Sequence, residues 1–158
     1  MTGSGTTGNL LKIKTMFTYA LLAAALAFAA IVRLAPTDPD RWHIDPGTQD
    51  ATSCTQVTAT RSSARVSCLR EEPPAALLTR LDQIALATPR TVRLAGSAET
   101  GRITWVTRSW LWGFPDFATA QATGSGQGAR LDLFSRQRFG GFDFGVNRSR
   151  LSAWMRRL

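Results

Sequence analysis

The chain has 158 residues, a formal charge of +8, two cysteines and one histidine. That length suits a single domain with its own core once the apolar N-terminal region is set aside. Cys54, Cys68 and a distant His43 supply no ligand set for a metal, and no lysine-rich or aromatic-interleaved stretch points to nucleic acid.

Residues 1–14 begin Met-Thr-Gly-Ser-Gly-Thr-Thr-Gly, small and polar, and read as a disordered leader. Residues 16–32 then carry no charge and lie between Lys12/Lys14 and Arg33. As a helix this run is about 26 Å long, and residues 15–35 together approach the roughly 30 Å of a bilayer core. Its apolar residues cover every helical face, which favours a single-pass transmembrane helix or signal anchor over a core helix of a soluble domain. The small-x-small Ala27-Phe28-Ala29 keeps a cleaved signal peptide open as the alternative, with the domain then exported. Lys12 and Lys14 before the helix weakly favour a cytoplasmic N-terminus and a periplasmic domain over residues 36–158, in the inner membrane of a bacterium. Ala20/Ala24, Ala23/Ala27 and Ala25/Ala29 are small pairs four residues apart, which would let a partner membrane protein pack closely, although alanine abundance alone produces such pairs.

Lys12, Lys14 and Arg33 account for three positive charges, so +5 remains beyond the helix, carried by arginine with no lysine. Beside a bilayer that balance suits lipid headgroups, an acidic partner or an anionic ligand. Codon bias in a G+C-rich genome is the favoured explanation of the preference for arginine over lysine.

Pro36, Pro39 and Pro46, among several aspartates, predict an extended segment rather than a helix. Trp42 within it reads as a plug for the domain core, or as an interface ring, and His43 as structural. Thr55–Thr60 and Arg65–Ser67 form a predicted hairpin around Arg61–Ala64, with Cys54 and Cys68 brought opposite each other for a disulfide in an oxidising compartment. Pro73-Pro74 opens a helix whose Leu77, Leu81 and Ile84 form one apolar stripe, ending at Thr88-Pro89. Strands are predicted at 91–95, 102–110, 117–123 and 130–136, joined by glycine-rich turns. Asn147 is placed to cap a final helix presenting Leu151, Trp154 or Met155, and Leu158. The fold class is therefore α+β: an antiparallel sheet of about four to six strands with one or two packed helices, behind a single N-terminal transmembrane helix.

From Arg108 onward arginine, aspartate, glycine and aromatic residues crowd together. Asp116 and Asp143 can each accept an arginine fork from Arg108, Arg136 or Arg138, and Gly113, Gly140, Gly141 and Gly145 permit close backbone approach. Arg108, Asp116, Arg136, Arg138, Asp143, Asn147 and Arg150 are the candidate anion- or ligand-binding residues, with structural ties between loops and sheet as the competing reading. Trp105, Trp110, Trp112 and Phe114 serve as core filling in that second reading. Arg148, Arg150, Arg156 and Arg157 on the last helix form either a lipid-facing set or an ordinary solvated face.

Arg108-Ser109, Gly113-Phe114-Pro115-Asp116, Leu131 through Ser135-Arg136, and Asp143-Phe144-Gly145-Val146-Asn147-Arg148 with Arg150-Leu151 resemble the domain-of-unknown-function 1499 family, whose members are uncharacterised and often membrane-anchored or exported. The resemblance spans most of the domain and implies one compact α+β unit, with no reaction or cofactor attached to it. Asp143-Phe144-Gly145 also matches a kinase metal-binding triplet, but the chain lacks the phosphate-covering loop, the strand lysine and the catalytic loop. Asn147-Arg148-Ser149 fits a glycosylation sequon without weight at a predicted helix start.

The favoured function is a non-enzymatic binding or accessory module for a membrane protein, an envelope component or an anionic ligand. The alternative is a hydrolase or transferase acting on an anionic envelope substrate, with Asp116 or Asp143 as acid or base and the arginines stabilising charge. Ser109 and Ser135 are possible nucleophiles, but only His43 could activate them. Convergence of both aspartates with the arginines around an open cleft would favour the enzyme; burial of every aspartate in a direct arginine fork would favour structure.

Overall fold

The computed structural model describes residues 5–47, 50–126 and 128–158 and divides at Ala35 into two units. The first is one helix, α1 (Gly5–Leu34). Its Gly8–Leu34 part is long and apolar enough to cross a membrane or to act as a signal anchor. Of the leader expected to be disordered, residues 1–4 lie outside the described residues, whereas residues 5–14 are helical. Once the alanine-rich run has formed turns, each further residue adds one hydrogen bond for one residue fixed, so helix propagates outward. Thr15 and Thr18 donate their hydroxyls back to the carbonyls of Leu11 and Lys14.

The second unit, residues 36–158, contains α2 (Pro39–Trp42), β1 (Thr58–Ala59), β2 (Ser63–Arg70), α3 (Pro74–Leu86), β3 (Thr91–Ser97), β4 (Arg102–Arg108), β5 (Pro115–Ser125), β6 (Gly128–Gln137) and α4 (Val146–Met155). The strands form one antiparallel sheet in the order β1-β2-β6-β5-β4-β3. Three tight connections make β3 to β6 a meander, and β2 then pairs with the last strand, Val66 opposite Leu133. The α+β class, the helix over the apolar stripe and the strand positions agree with the sequence reading.

Alternation decides what each face does. Ala64, Val66 and Cys68 of β2, Leu131 and Leu133 of β6, Ala118, Ala120 and Ala122 of β5, and Ile103 and Trp105 of β4 share the face packed by α3 and α4. The alanines at the sheet centre leave room for Leu77, Leu78 and Leu81 of α3, all fully buried, each worth roughly 1.5–3 kcal/mol of burial. Trp105 and Trp154 meet edge to face at 5.5 Å, and their indole N–H groups reach Asp82 and Thr88. Asp82 also receives the guanidinium of Arg93, so this buried carboxylate is fully partnered.

The opposite face is crossed by residues 36–47. Where an extended segment was expected, Pro39–Trp42 forms one helical turn, because Asp38 accepts from the Asp40 N–H at 3.0 Å and Pro39 occupies the first helical position. Trp42 then stacks on Phe117 at 3.9 Å and plugs this second face, not the helix-covered core. The hairpin closes with Thr58 opposite Arg65, and Cys54 and Cys68 are joined, their Cα atoms 5.1 Å apart.

Candidate functional site

Four of the seven predicted site residues come together where α4 leaves the sheet. Arg150 of α4 donates to Asp116 of β5 at 2.9 Å and to the Asn147 side-chain oxygen at 2.8 Å. Its third partner is the hydroxyl of Ser135, which itself donates to Asn147. Asn147 returns its amide N–H to Asp143 at 2.8 Å. Ser135 and Asn147 are wholly buried, and Asp143 nearly so. Burial pushes the Asp116 carboxyl above its ordinary range, Arg150 opposes that shift, and nearby Asp143 adds to it.

Asp143, not Asn147, organises the helix start. Its two carboxylate oxygens accept the backbone N–H groups of Gly145 at 2.9 Å and Asn147 at 3.1 Å. Gly145, at φ 76°, is the capping position and Asn147 lies inside the first turn. A glycine at positive φ lets the chain turn into the helix, and the carboxylate then satisfies donors that the helix leaves open. The same φ sign at Phe144, 53°, is costly for a bulky side chain and holds that ring away from the core.

Arg108, Arg136 and Arg138 lie outside this cluster. Arg108 donates to the Gly113 carbonyl at 3.0 Å, closing the loop between β4 and β5. Arg136 is next to Ser135 on a strand and therefore points to the opposite face. There it donates to the Trp42 carbonyl at 2.9 Å and lies over the rings of Trp42 and Phe134. Burial, with Arg65 nearby, lowers its pKa to about 10, and one terminal nitrogen is enclosed without a hydrogen-bond partner. Arg138 donates to the Pro36 carbonyl at 2.8 Å.

Both Asp143 oxygens are thus occupied by the Asn147 amide and main-chain donors and one Asp116 oxygen by Arg150, and no imidazole adjoins either candidate serine. Ser109 accepts from the Phe114 N–H at 2.9 Å, a turn contact, while Ser135 is sealed in the network. His43 stands on the second face, its Nδ1 paired with Thr104 at 2.9 Å. Burial and the charge of Arg102 lower its pKa from 6.5. It borders an open recess of about 450 Å³ with Arg102, Gln121 and Thr123, in which Arg102 is already held by Gln121 and Asp45. Among the described residues no group of three or more histidine, cysteine, aspartate or glutamate side chains is placed to hold a metal ion.

A further polar tie was not anticipated: Asp132, almost fully buried, accepts from Ser67 at 2.6 Å and from Arg130 at 2.9 Å. Its signal was Arg-x-Asp on a strand, two opposite charges on one face. The proposed lipid-facing arginines also separate, since Arg150 is enclosed and paired whereas Arg148, Arg156 and Arg157 are exposed.

Comparison with known proteins gives one family and several remote structural likenesses, two of which follow. Residues 43–158 match the family described as "Protein of unknown function (DUF1499)". No curated protein matches the chain. The crystal structure of protein CV1439 from Chromobacterium violaceum is 13% identical, covering 62% of this chain and 92% of its own, at a TM-score of 0.39. Protein Ms6760 from Mycobacterium smegmatis is 9% identical, covering 65% of this chain and 92% of its own, at a TM-score of 0.36. Neither likeness is close enough to carry an argument.

Proposed function

We propose a role for a chain that belongs to the DUF1499 family of proteins of unknown function: a membrane-anchored, non-enzymatic binding or accessory module. One observation carries this reading. Asp116 and Asp143, the two carboxylates that an acid–base mechanism would need, are consumed by Arg150, Asn147 and the start of α4. A general acid or base must reach substrate through a hydrogen bond, and neither carboxylate lines the open recess beside His43. The hydrolase or transferase reading loses its catalytic pair on the same ground.

The module would be held by α1 in the inner membrane of a bacterium with residues 36–158 in the periplasm. Support comes from the apolar span, from the lysines that precede it, and from the Cys54–Cys68 bond, which persists in oxidising compartments. Export after signal cleavage remains the alternative placement. Its partner is a membrane protein, an envelope component or an anionic ligand. The excess of arginine over acid supports an acidic or anionic contact, and Arg136 and Arg138, which donate to main-chain carbonyls, are the site residues proposed for it.

Photocrosslinking of the full chain in intact membranes, followed by purification in mild detergent, tests the reading. Retention of a stoichiometric partner or anionic component is expected. Recovery of bare monomer under several gentle conditions, together with turnover of an envelope substrate, would reverse it.

A further inference from the structure

Large apolar side chains are exposed at one end of the sheet. The loop between β4 and β5 presents Trp110, 77% exposed, and Leu111, 60% exposed. The loop between β6 and α4 presents Phe142, 54% exposed, and Phe144, 86% exposed. These loops are neighbours, because Arg108 pairs with Pro115 and Asp116 with Gln137 at the strand ends that lead into them. Phe114 of one loop and Phe139 of the other approach to 6.1 Å, while Phe142 and Phe144 meet edge to face at 4.8 Å.

Exposed aromatic residues scattered singly need no explanation, but a cluster from adjacent loops marks an interaction surface. Core filling does not account for Trp110 or Phe144. Moreover, the backbone at Phe144 holds a conformation that a bulky residue adopts only at a cost, and Asp143 enforces it from a buried position.

The same end of the sheet receives the chain from α1. Arg138, the first residue after β6, binds the Pro36 carbonyl. Pro36 is two residues beyond Leu34, where α1 ends, so covalent geometry keeps it within roughly 8 Å of that terminus. Arginines rim the patch: Arg61, whose carbonyl accepts from Asp143, Arg90, which bonds Arg108, and Arg108 and Arg138 themselves. The only acid in either loop is the buried Asp143, although Asp38 and Asp40 lie exposed in the segment that leaves Pro36.

We propose that the Trp110-Leu111 and Phe142–Phe144 loops dock onto the lipid surface of the membrane that α1 enters, with aromatic rings at headgroup depth and the rim arginines against lipid phosphates. Trp and Phe favour that depth because the interface accepts an apolar ring and still hydrates its polar edge. Arginine pairs with phosphate through its planar fork. The docking surface lies at the start of α4, and Arg156 and Arg157 are about 15 Å away at its other end, so the set used differs from the exposed arginines of that helix. This inference rests on the reading of α1 as membrane-embedded.

The test uses the full chain reconstituted in phosphatidylcholine vesicles with phosphatidylglycerol as the minor lipid, with or without bromine on the acyl chains close to the headgroup. α1 contains no tryptophan, so bromine quenching of indole fluorescence reports on the second unit. Quenching of the unaltered chain and its loss in Trp110→Phe/Trp112→Phe are expected. Phe142→Ser/Phe144→Gly, which leaves every tryptophan in place, should also lower the quenching. Alkaline extraction separates the two ideas: if the chain stays in the membrane and quenching is absent or survives in the Trp110→Phe/Trp112→Phe variant, docking falls while the anchor stands. A patch reserved for a protein partner gives that result. If alkali releases the chain from vesicles, the anchor and the docking both fall.

Discussion

Arg150 of α4 and Asp116 of β5 form a 2.9 Å ion pair whose side chains are only 9% and 15% exposed, so the last helix is fastened to the sheet by a nearly dry charge contact. Such a pair stabilises little relative to a well-packed apolar pair, yet loss of one partner leaves an uncompensated buried charge.

Replacing Arg150 by Met should therefore cost about 3–5 kcal/mol, and the double replacement Asp116→Asn/Arg150→Met should recover much of it. Urea denaturation of both variants decides this. The acid dependence has a definite sign. The folded Asp116 carboxyl titrates above 3.8, so between that value and its folded pKa the folded state binds more protons than the unfolded state. Stability from this group is then full below pH 3.8 and is lost as pH rises through the folded pKa. Arg150→Met removes the opposing charge and should widen that window; an unchanged pH profile would count against the coupling.

The Cys54–Cys68 bond closes a loop that carries β1 and its turn. Its removal should cost on the order of 3 kcal/mol. Cys68 is buried in the helix-covered core and Cys54 is only partly so, so Cys68→Ser should cost more than Cys54→Ser. Thiol labelling under denaturing, non-reducing conditions should find neither sulfur reactive, and denaturation midpoints of the two serine variants should rank in the stated order.

His43 sits against Thr104 and near Arg102, and its folded pKa lies below 6.5. The unfolded chain therefore binds more protons in the window beneath pH 6.5, so stability from this group is complete above that pH and declines as pH falls through the folded pKa. His43→Gln should flatten this slope. Denaturation midpoints measured on both sides of pH 6.5, together with the imidazole titration followed by NMR, check the direction.

Gly96 has φ +80°, and a Cβ there would lie 2.0 Å from the Arg102 carbonyl oxygen and 2.7 Å from the His43 ring. Gly96→Ala should cost at least about 1–3 kcal/mol from backbone strain, with the clash added. A Cβ at Gly141 would meet nothing within 4 Å, so Gly141→Ala should change the melting temperature little. Equal effects of the two substitutions would contradict the described packing.

Much of the fold was legible because its determinants are local. The stripe Leu77, Leu81 and Ile84 announced α3, and the glycine-rich turns separated the strands of the meander. The helix start was misassigned to Asn147 because residue type favours asparagine at a cap. In the folded chain Gly145 turns at positive φ, and Asp143 reaches the donors from outside the helix. Trp110 and Trp112 were grouped with core-filling residues because an aromatic side chain is equally apolar in a core and at an interface. Neither is buried.

The site was legible as a set of residue types but not as an arrangement. Ser135 and Arg136 are adjacent in sequence, and strand alternation sends one into the Asn147–Arg150 network and the other beneath Trp42. Hence Asp116, Asp143, Asn147 and Arg150 meet, while Arg108, Arg136 and Arg138 do not join them.

The sequence alone determined the apolar helix, the class of the domain, its family and the cysteine pair, because composition and short spacing govern those features. Only the tertiary structure decided that the aspartates are bound internally and that the aromatic loops share the end of the sheet where Pro36 enters. Those outcomes depend on the register of β4, β5 and β6, on the return of α4 to that sheet, and on which face each strand residue presents.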